Sequence, residues 1–340
     1  MNVLAMLVTV VLGLKALTVH DPSRFLLTGN GHADLSNTLG GLSLFSAPNA
    51  TSINELMPEP PAFRALPAWV ETYVPLAQDT AALWAPDMYI VQNESHYEHP
   101  PVLRMYYAVS TFGSQVSCIG LATASLPRQG IKPNSFVDAG SPIICSNVST
   151  PFNAIDPCPL VLRRDTDSGL EHWLTFGSFW GGIFAVALDP VSGFAQSPAI
   201  GPLAVASHGS PAIEASFALQ RGEWIYLWVN WGFCCRGVNS TYEIRVGRAK
   251  RMGRSFVDKS GKALHEGGGT LFLSTEGDEV GPGQIGISGH DAGVFTYHYY
   301  DRSSGGIPTL GMRELIFDDD AWPVSGSRHI MTDLSKNNKY

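Results

Sequence analysis

The sequence predicts an all-β chain folded as a five-bladed β-propeller, and three observations carry that expectation. Gly 35 and Pro 23 punctuate the 340 residues, and charged residues make up 15% against the ~25% usual in globular chains. Apolar residues at 44% still supply ample core. No stretch sustains a helical apolar period beyond a turn or two. Instead, short aromatic or β-branched runs recur in couplets bounded by Gly, Pro, Asn and Asp.

The couplets run in chain order through residues 103–110 with 117–124, 171–178 with 182–189, 224–230 with 242–249, and 293–300 with 310–317. A less legible stretch before Trp84 would supply a fifth. One twisted four-stranded sheet cannot bury both faces alone, whereas sheets set radially bury them against each other and expose only short edges. A β-sandwich with long loops is the alternative that such couplets leave open. No composition break separates a second domain, so residues 17–340 are expected to form a single one.

Residues 1–16 read as a signal peptide. Their apolar core, residues 3–14, is shorter than the ~20 residues a membrane span needs, and no membrane partner is expected. Sequons at Asn49, Asn93, Asn147 and Asn239 agree with a secreted, extracellular protein. The net charge of −8 makes nucleic acid a poor partner. Five cysteines leave at least one unpaired within the chain. Cys118 with Cys145 is the favoured bridge, because both lie in short apolar runs that could be neighbouring strands. Cys234 and Cys235 could form a vicinal disulfide or two packed thiols.

Three acids stand in unexpected contexts. Asp21 and Asp156 each precede a proline, which favours extended backbone at the mouth of a strand, and Glu214 interrupts an otherwise uncharged run. On a propeller, strand beginnings from different blades meet around the axis. An acid among apolar neighbours has its charged form disfavoured and is suited to proton donation near neutral pH. For each acid alone, a turn initiator or strand cap is the ordinary alternative.

The ordered set His20-Asp-Pro-Ser, Leu83-Trp-Ala-Pro-Asp, Ser110-Thr-Phe-Gly-Ser, Ala154-Ile-Asp-Pro, Phe176-Gly-Ser-Phe-Trp-Gly-Gly-Ile, Ile213-Glu, Cys234-Cys-Arg-Gly and Gly281-Pro-Gly resembles the arabinanase-like branch of glycoside hydrolase family 43. The resemblance implies a five-bladed propeller that cleaves α-1,5-linked arabinan, endo-acting and inverting, as a monomer. By motif, Asp21 would be the general base, Glu214 the general acid, and Asp156 the group that orients and tunes the acid. Exo-acting arabinofuranosidase or β-xylosidase activity, or a catalytically degenerate carbohydrate-binding propeller, are the competing readings.

Flat aromatic faces stack on a furanose ring, which nominates Trp84 and Phe112 first and Trp180 next. His20, Asn153, Ser178 and Arg236 are expected as polar contacts in the cleft. Where family members commonly carry a metal-holding histidine, this chain has Gln284, whose carbonyl could serve a structural Ca2+. His290 lies nearby in sequence as an alternative. Residues 24–41 depart most from the family pattern, so the first blade is expected to be irregular.

Overall fold

The computed structural model describes residues 17–27, 33–47, 56–91, 101–125, 135–163, 169–207, 210–288 and 293–328. The expected signal peptide, the sequons at Asn49 and Asn93, and His290 lie outside the described residues.

Five antiparallel sheets follow one another along the chain. Blade 1 holds β1 (Leu26–Leu27), β2 (Ala33–Asn37), β3 (Ser43–Ala47) and β4 (Met57–Glu59). Blade 2 holds β5 (Leu83–Val91), β6 (Val102–Val109) and β7 (Ser117–Ser125); β8 (Val137–Asp138) and β9 (Ile144–Ser146) both pair with β7. Blade 3 holds β10 (Cys158–Arg163), β11 (Leu170–Phe176), β12 (Ile183–Leu188) and β13 (Ile200–Ala204). Blade 4 holds β14 (Ile213–Arg221), β15 (Trp224–Trp231), β16 (Glu243–Ala249) and β17 (Thr270–Leu273). Blade 5 holds β18 (Glu279–Ile287), β19 (Val294–Asp301), β20 (Ile307–Phe317) and β21 (Pro323–Arg328). The couplets seen in the sequence are the second and third strands of blades 2 to 5. Blade 1 pairs its four strands in chain order, as blades 3 to 5 do.

Apolar burial is divided among five clusters, one at each junction between blades. Leu44 meets Met88 and Tyr107 between blades 1 and 2, and Tyr106 meets Phe176 and Phe184 between 2 and 3. Leu160 meets Leu227 and Phe256 between 3 and 4, Trp228 meets Phe295 and Tyr297 between 4 and 5, and Phe45 meets Leu310 and Met312 between 5 and 1. Each sheet thus buries both faces without a separate covering layer. Within blades 2 and 5 the packing repeats in detail: a Cβ on Gly120 would stand 2.4 Å from the Tyr107 ring, and one on Gly311 would stand 2.3 Å from the Tyr297 ring. Both glycines face their tyrosines across directly registered strands.

The ring closes through backbone contacts. Thr18 bridges to Thr309, Val19 N–H donates to Pro308 O, and Leu310 N–H donates to Leu17 O, so the start of the described chain joins the edge of blade 5. Cys118 and Cys145 are bonded across β7 and β9, as expected. Cys234 and Cys235 are two thiols.

At the centre, Arg24 ties four blades together. Its guanidinium binds Asp87 of β5, with the shortest contact at 2.6 Å, and donates to Pro159 O of β10 at 2.7 Å. Its other face lies 4.8 Å from the Phe217 ring of β14. A partly buried arginine among apolar strands is tolerated because its fork is matched by a carboxylate and a carbonyl.

Candidate active site

Strand direction gathers the expected residues at one rim. In blades 2 to 5 the start of the innermost strand pairs with the end of the second, as Leu83 does with Val109 and Cys158 with Thr175. The turns from second to third strand therefore stand beside the inner strand starts. Asp21, Trp84, Asp156 and Glu214 belong to the inner strand starts, and Gln284 lies within β18. Thr38, Phe112, Ser178, Trp180, Arg236 and Tyr242 lie in the turns between second and third strands.

Each blade bends its inner strand at this rim through one left-handed residue other than glycine. These are Asp21 (φ 48), Ala85 (φ 42), Asp156 (φ 56), Ala215 (φ 55) and Gln284 (φ 54). Register slips accompany three of them. Such bulges re-aim side chains, and each left-handed residue costs about 1–3 kcal/mol that its surroundings must offset. The extended backbone expected for Asp21 and Asp156 is thereby corrected. Hydrogen bonds across blades override the proline preference: Asp21 N–H donates to His298 Nδ1 at 3.2 Å, and Asp156 Oδ2 accepts from Ala215 N–H at 3.0 Å.

Asp21 is a carboxylate held by one imidazolium and by hydrogen-bond donors. Its Oδ2 lies 2.9 Å from His20 Nδ1 and accepts from Thr38 Oγ1 at 2.7 Å. Burial would push its pKa up, but the His20 charge and hydrogen bond, aided by Thr38, hold it down at about 2. His20 in turn is carried up to about 10, because Asp21 outweighs the burial that would lower it. His298 stacks on His20 with ring centres 4.2 Å apart. Burial and then the His20 charge push His298 down to about 3. One imidazolium and one neutral imidazole therefore lie face to face.

Glu214 and Asp156 show the opposite behaviour. Burial raises the Glu214 pKa, with the Asp21 charge adding to it, while hydrogen bonds from Ser178 and Tyr242 oppose the rise. Ser178 Oγ donates to Oε2 at 2.6 Å and the Tyr242 hydroxyl donates to Oε1. Asp156 is pushed well up by burial, then by the charges of Glu214 and Asp21. The three acids sense one another: Asp21 is kept ionised, while the coupled Asp156 and Glu214 resist giving up the last proton of the pair.

The other expected contacts divide. Phe112 is 86% exposed and Trp180 48% exposed, so packing between blades does not account for either ring. Trp84 is half-buried, its Nε1 donating to Ala81 O. Arg236 is exposed and lies 4.1 Å above the Phe233 ring. Ser178 and His20 spend their polar atoms on Glu214 and on Asp21 with Tyr300, holding the acids in place. Asn153 is buried beneath the rim, accepting from Ser146 Oγ at 3.4 Å. Thr38, Tyr242, His298 and Tyr300 escaped the sequence reading. His298 had a visible signal, a histidine on the inward side of an aromatic strand.

Gln284 is buried, with its N–H donating to Asn230 Oδ1 at 3.1 Å. Calcium takes six to eight oxygens. Among the described residues the metal-ligating side chains that cluster are His20, Asp21 and His298, two imidazoles and one carboxylate with ligand atoms within 4.8 Å of one another. These residues do not fit a calcium cage, which is built from oxygens.

The model of glycosyl hydrolases family 43 matches residues 50–323. The chain belongs to family 43. It is 36% identical over 255 residues to the probable arabinan endo-1,5-alpha-L-arabinosidase A of Aspergillus clavatus, covering 71% of this family 43 chain and 73% of the relative. It is 36% identical over 256 residues to the extracellular endo-alpha-(1->5)-L-arabinanase 1 of Bacillus subtilis, covering 75% and 72%. Among solved structures, an exo-1,5-alpha-L-arabinanase from a bovine ruminal metagenomic library superimposes with a TM-score of 0.79 at 30% identity, covering 93% of this chain and 99% of that one.

Proposed function

We propose that this family 43 protein hydrolyses α-1,5-L-arabinofuranosidic bonds within arabinan with inversion at the anomeric carbon. Asp21 accepts a proton from the attacking water, and Glu214 gives its proton to the departing glycosidic oxygen. Asp156 keeps that proton on Glu214 by like-charge repulsion. Phe112 and Trp180, exposed at the same rim, offer stacking faces to successive sugars, which favours action within a chain.

The observation that carries this reading is the divergence of two carboxyls on one rim: Asp21 is held at about 2 while Glu214 is raised above its ordinary value. A base that stays ionised and an acid that stays protonated are what inverting hydrolysis requires. The protein would act as an extracellular monomer. In support, the Bacillus relative is named extracellular, and Asn147 and Asn239 are exposed sequons.

Digestion of debranched arabinan tests the reading. Release of short oligosaccharides by the native enzyme, reduced about 10²–10⁴-fold in Glu214→Gln, is expected. Undiminished release by that variant would remove Glu214 from the acid role.

A further inference from the structure

We propose that Cys235 is a thiol–disulfide exchange site through which a low-molecular-weight disulfide switches hydrolysis off. The inference rests on the functional reading above for its effect on activity, and on geometry for the site itself.

Cys235 stands exposed in the turn between β15 and β16 with φ 63. Its Sγ lies 3.8 Å from His20 Nε2, and its N–H donates to the Tyr300 hydroxyl at 2.6 Å. That hydroxyl is 2.9 Å from the same His20 nitrogen. The opposite nitrogen of His20 is 2.9 Å from Asp21 Oδ2. One imidazolium thus separates an accessible sulfur from the proposed base.

The free thiols differ sharply in their surroundings. Cys158 is buried beneath Arg24, and burial pushes it up to about 12. The hydrogen bond from Cys234, followed by the His20 contact and charge, draws Cys235 down to about 5, while Cys234 is pushed up. A thiol with this exposure and a cationic neighbour is the nucleophile in exchange.

In the exchange, the Cys235 sulfur, its proton given to solvent, attacks one sulfur of the disulfide. A new S–S bond forms, the reagent's S–S bond breaks, and one reagent thiolate leaves with the electron pair. The disulfide is the oxidant and Cys235 is oxidised. Cys234 lies next in the chain and can displace the second reagent thiolate, closing a Cys234–Cys235 disulfide. The mixed disulfide fills the space above His20, and the vicinal disulfide reshapes the turn whose Cys235 N–H is bonded to the Tyr300 hydroxyl that also holds His20.

The test is incubation of the native enzyme with glutathione disulfide, followed by peptide mass analysis and arabinan hydrolysis. The expected result is a Cys235 adduct, or the Cys234–Cys235 disulfide, formed before any change at Cys158. Activity should fall about tenfold or more in step with modification and return with dithiothreitol. Cys235→Ser and Cys235→Ala should keep the untreated rate and resist the reagent. Complete modification of Cys235 with full activity, or inactivation of both variants at the native rate, would overturn the proposal. Untreated enzyme that leaves arabinan intact would count against the proposed substrate, and peptide mass would still decide the exchange site.

Discussion

The hydroxyl of Tyr242 donates to Oε1 of Glu214, placing a neutral phenol against the one acid that must carry a proton at the moment of cleavage. Burial raises the tyrosine well above its ordinary range, so it remains a donor throughout the working pH. A hydrogen bond donated to a carboxyl favours its charged form and therefore limits how far burial can raise Glu214.

Opposite shifts follow for two neighbours of Glu214. In Tyr242→Phe the donor is lost, the acid's pKa rises, and the alkaline limb of kcat/KM moves to higher pH, with the plateau about tenfold lower because the acid is less firmly placed. In Asp156→Asn a like charge is lost and the alkaline limb moves to lower pH. Because Asp156 and Glu214 titrate as a pair, the limb reports the pair. A pH–rate profile of both variants checks the signs, and shifts in the same direction would refute the assignment.

The acid limb belongs to Asp21. Its folded pKa of about 2 is depressed below the ordinary 3.8, so the base stays ionised until pH falls through about 2. In His20→Gln burial is no longer opposed by an imidazolium, and the acid limb should climb above its native position, leaving the variant inactive at acidic pH values where the native enzyme works. The pair also stabilises the fold. Asp21 contributes fully above 3.8 and loses its contribution as pH falls through about 2. His20 contributes fully below 6.5 and loses its contribution as pH rises through about 10. Stability curves of His20→Gln against pH should therefore diverge most from the native between these ordinary values.

Phe112 and Trp180 can be truncated without cost to the core. Phe112→Ala and Trp180→Ala should change unfolding free energy by no more than about 0.5 kcal/mol. KM for arabinan should rise severalfold with kcat nearly preserved, the pattern for lost binding that is equal in ground and transition states. Steady-state kinetics alongside urea unfolding separate these effects. A stability loss with unchanged KM would make the rings structural.

Arg24 carries a different burden. Arg24→Met strands the Asp87 carboxylate among buried strands and should destabilise the protein by about 3–5 kcal/mol. Pairing it with Asp87→Leu should recover most of that loss, because the stranded charge is gone. Urea unfolding of the single and double variants measures both.

The couplets and the three acids were legible because they are local patterns of residue type. The second and third strands of blades 2 to 5 announce themselves by alternation, and Asp21, Asp156 and Glu214 by an acid in the wrong company. What could not be read was set by contacts between distant blades. The left-handed turn at Asp21 answers to His298, far along the chain, against the local proline rule. Ser178 and His20 were expected as polar contacts in the cleft, yet their polar atoms serve the acids, and only the assembled rim shows which partner each one finds. The tie of blade 1 to the other blades through Arg24 was not legible either, because it depends on Asp87, Pro159 and Phe217 converging in space.

The anomeric configuration of the first product tests the division of labour between Asp21 and Glu214 most directly. Proton NMR of the native enzyme acting on a short α-1,5-arabino-oligosaccharide should show the β-anomer of the new reducing end first, with the α-anomer appearing only as the sugar mutarotates. Initial accumulation of the α-anomer would mean retention through a covalent intermediate, and would contradict the assignment of Asp21 as a base acting on water.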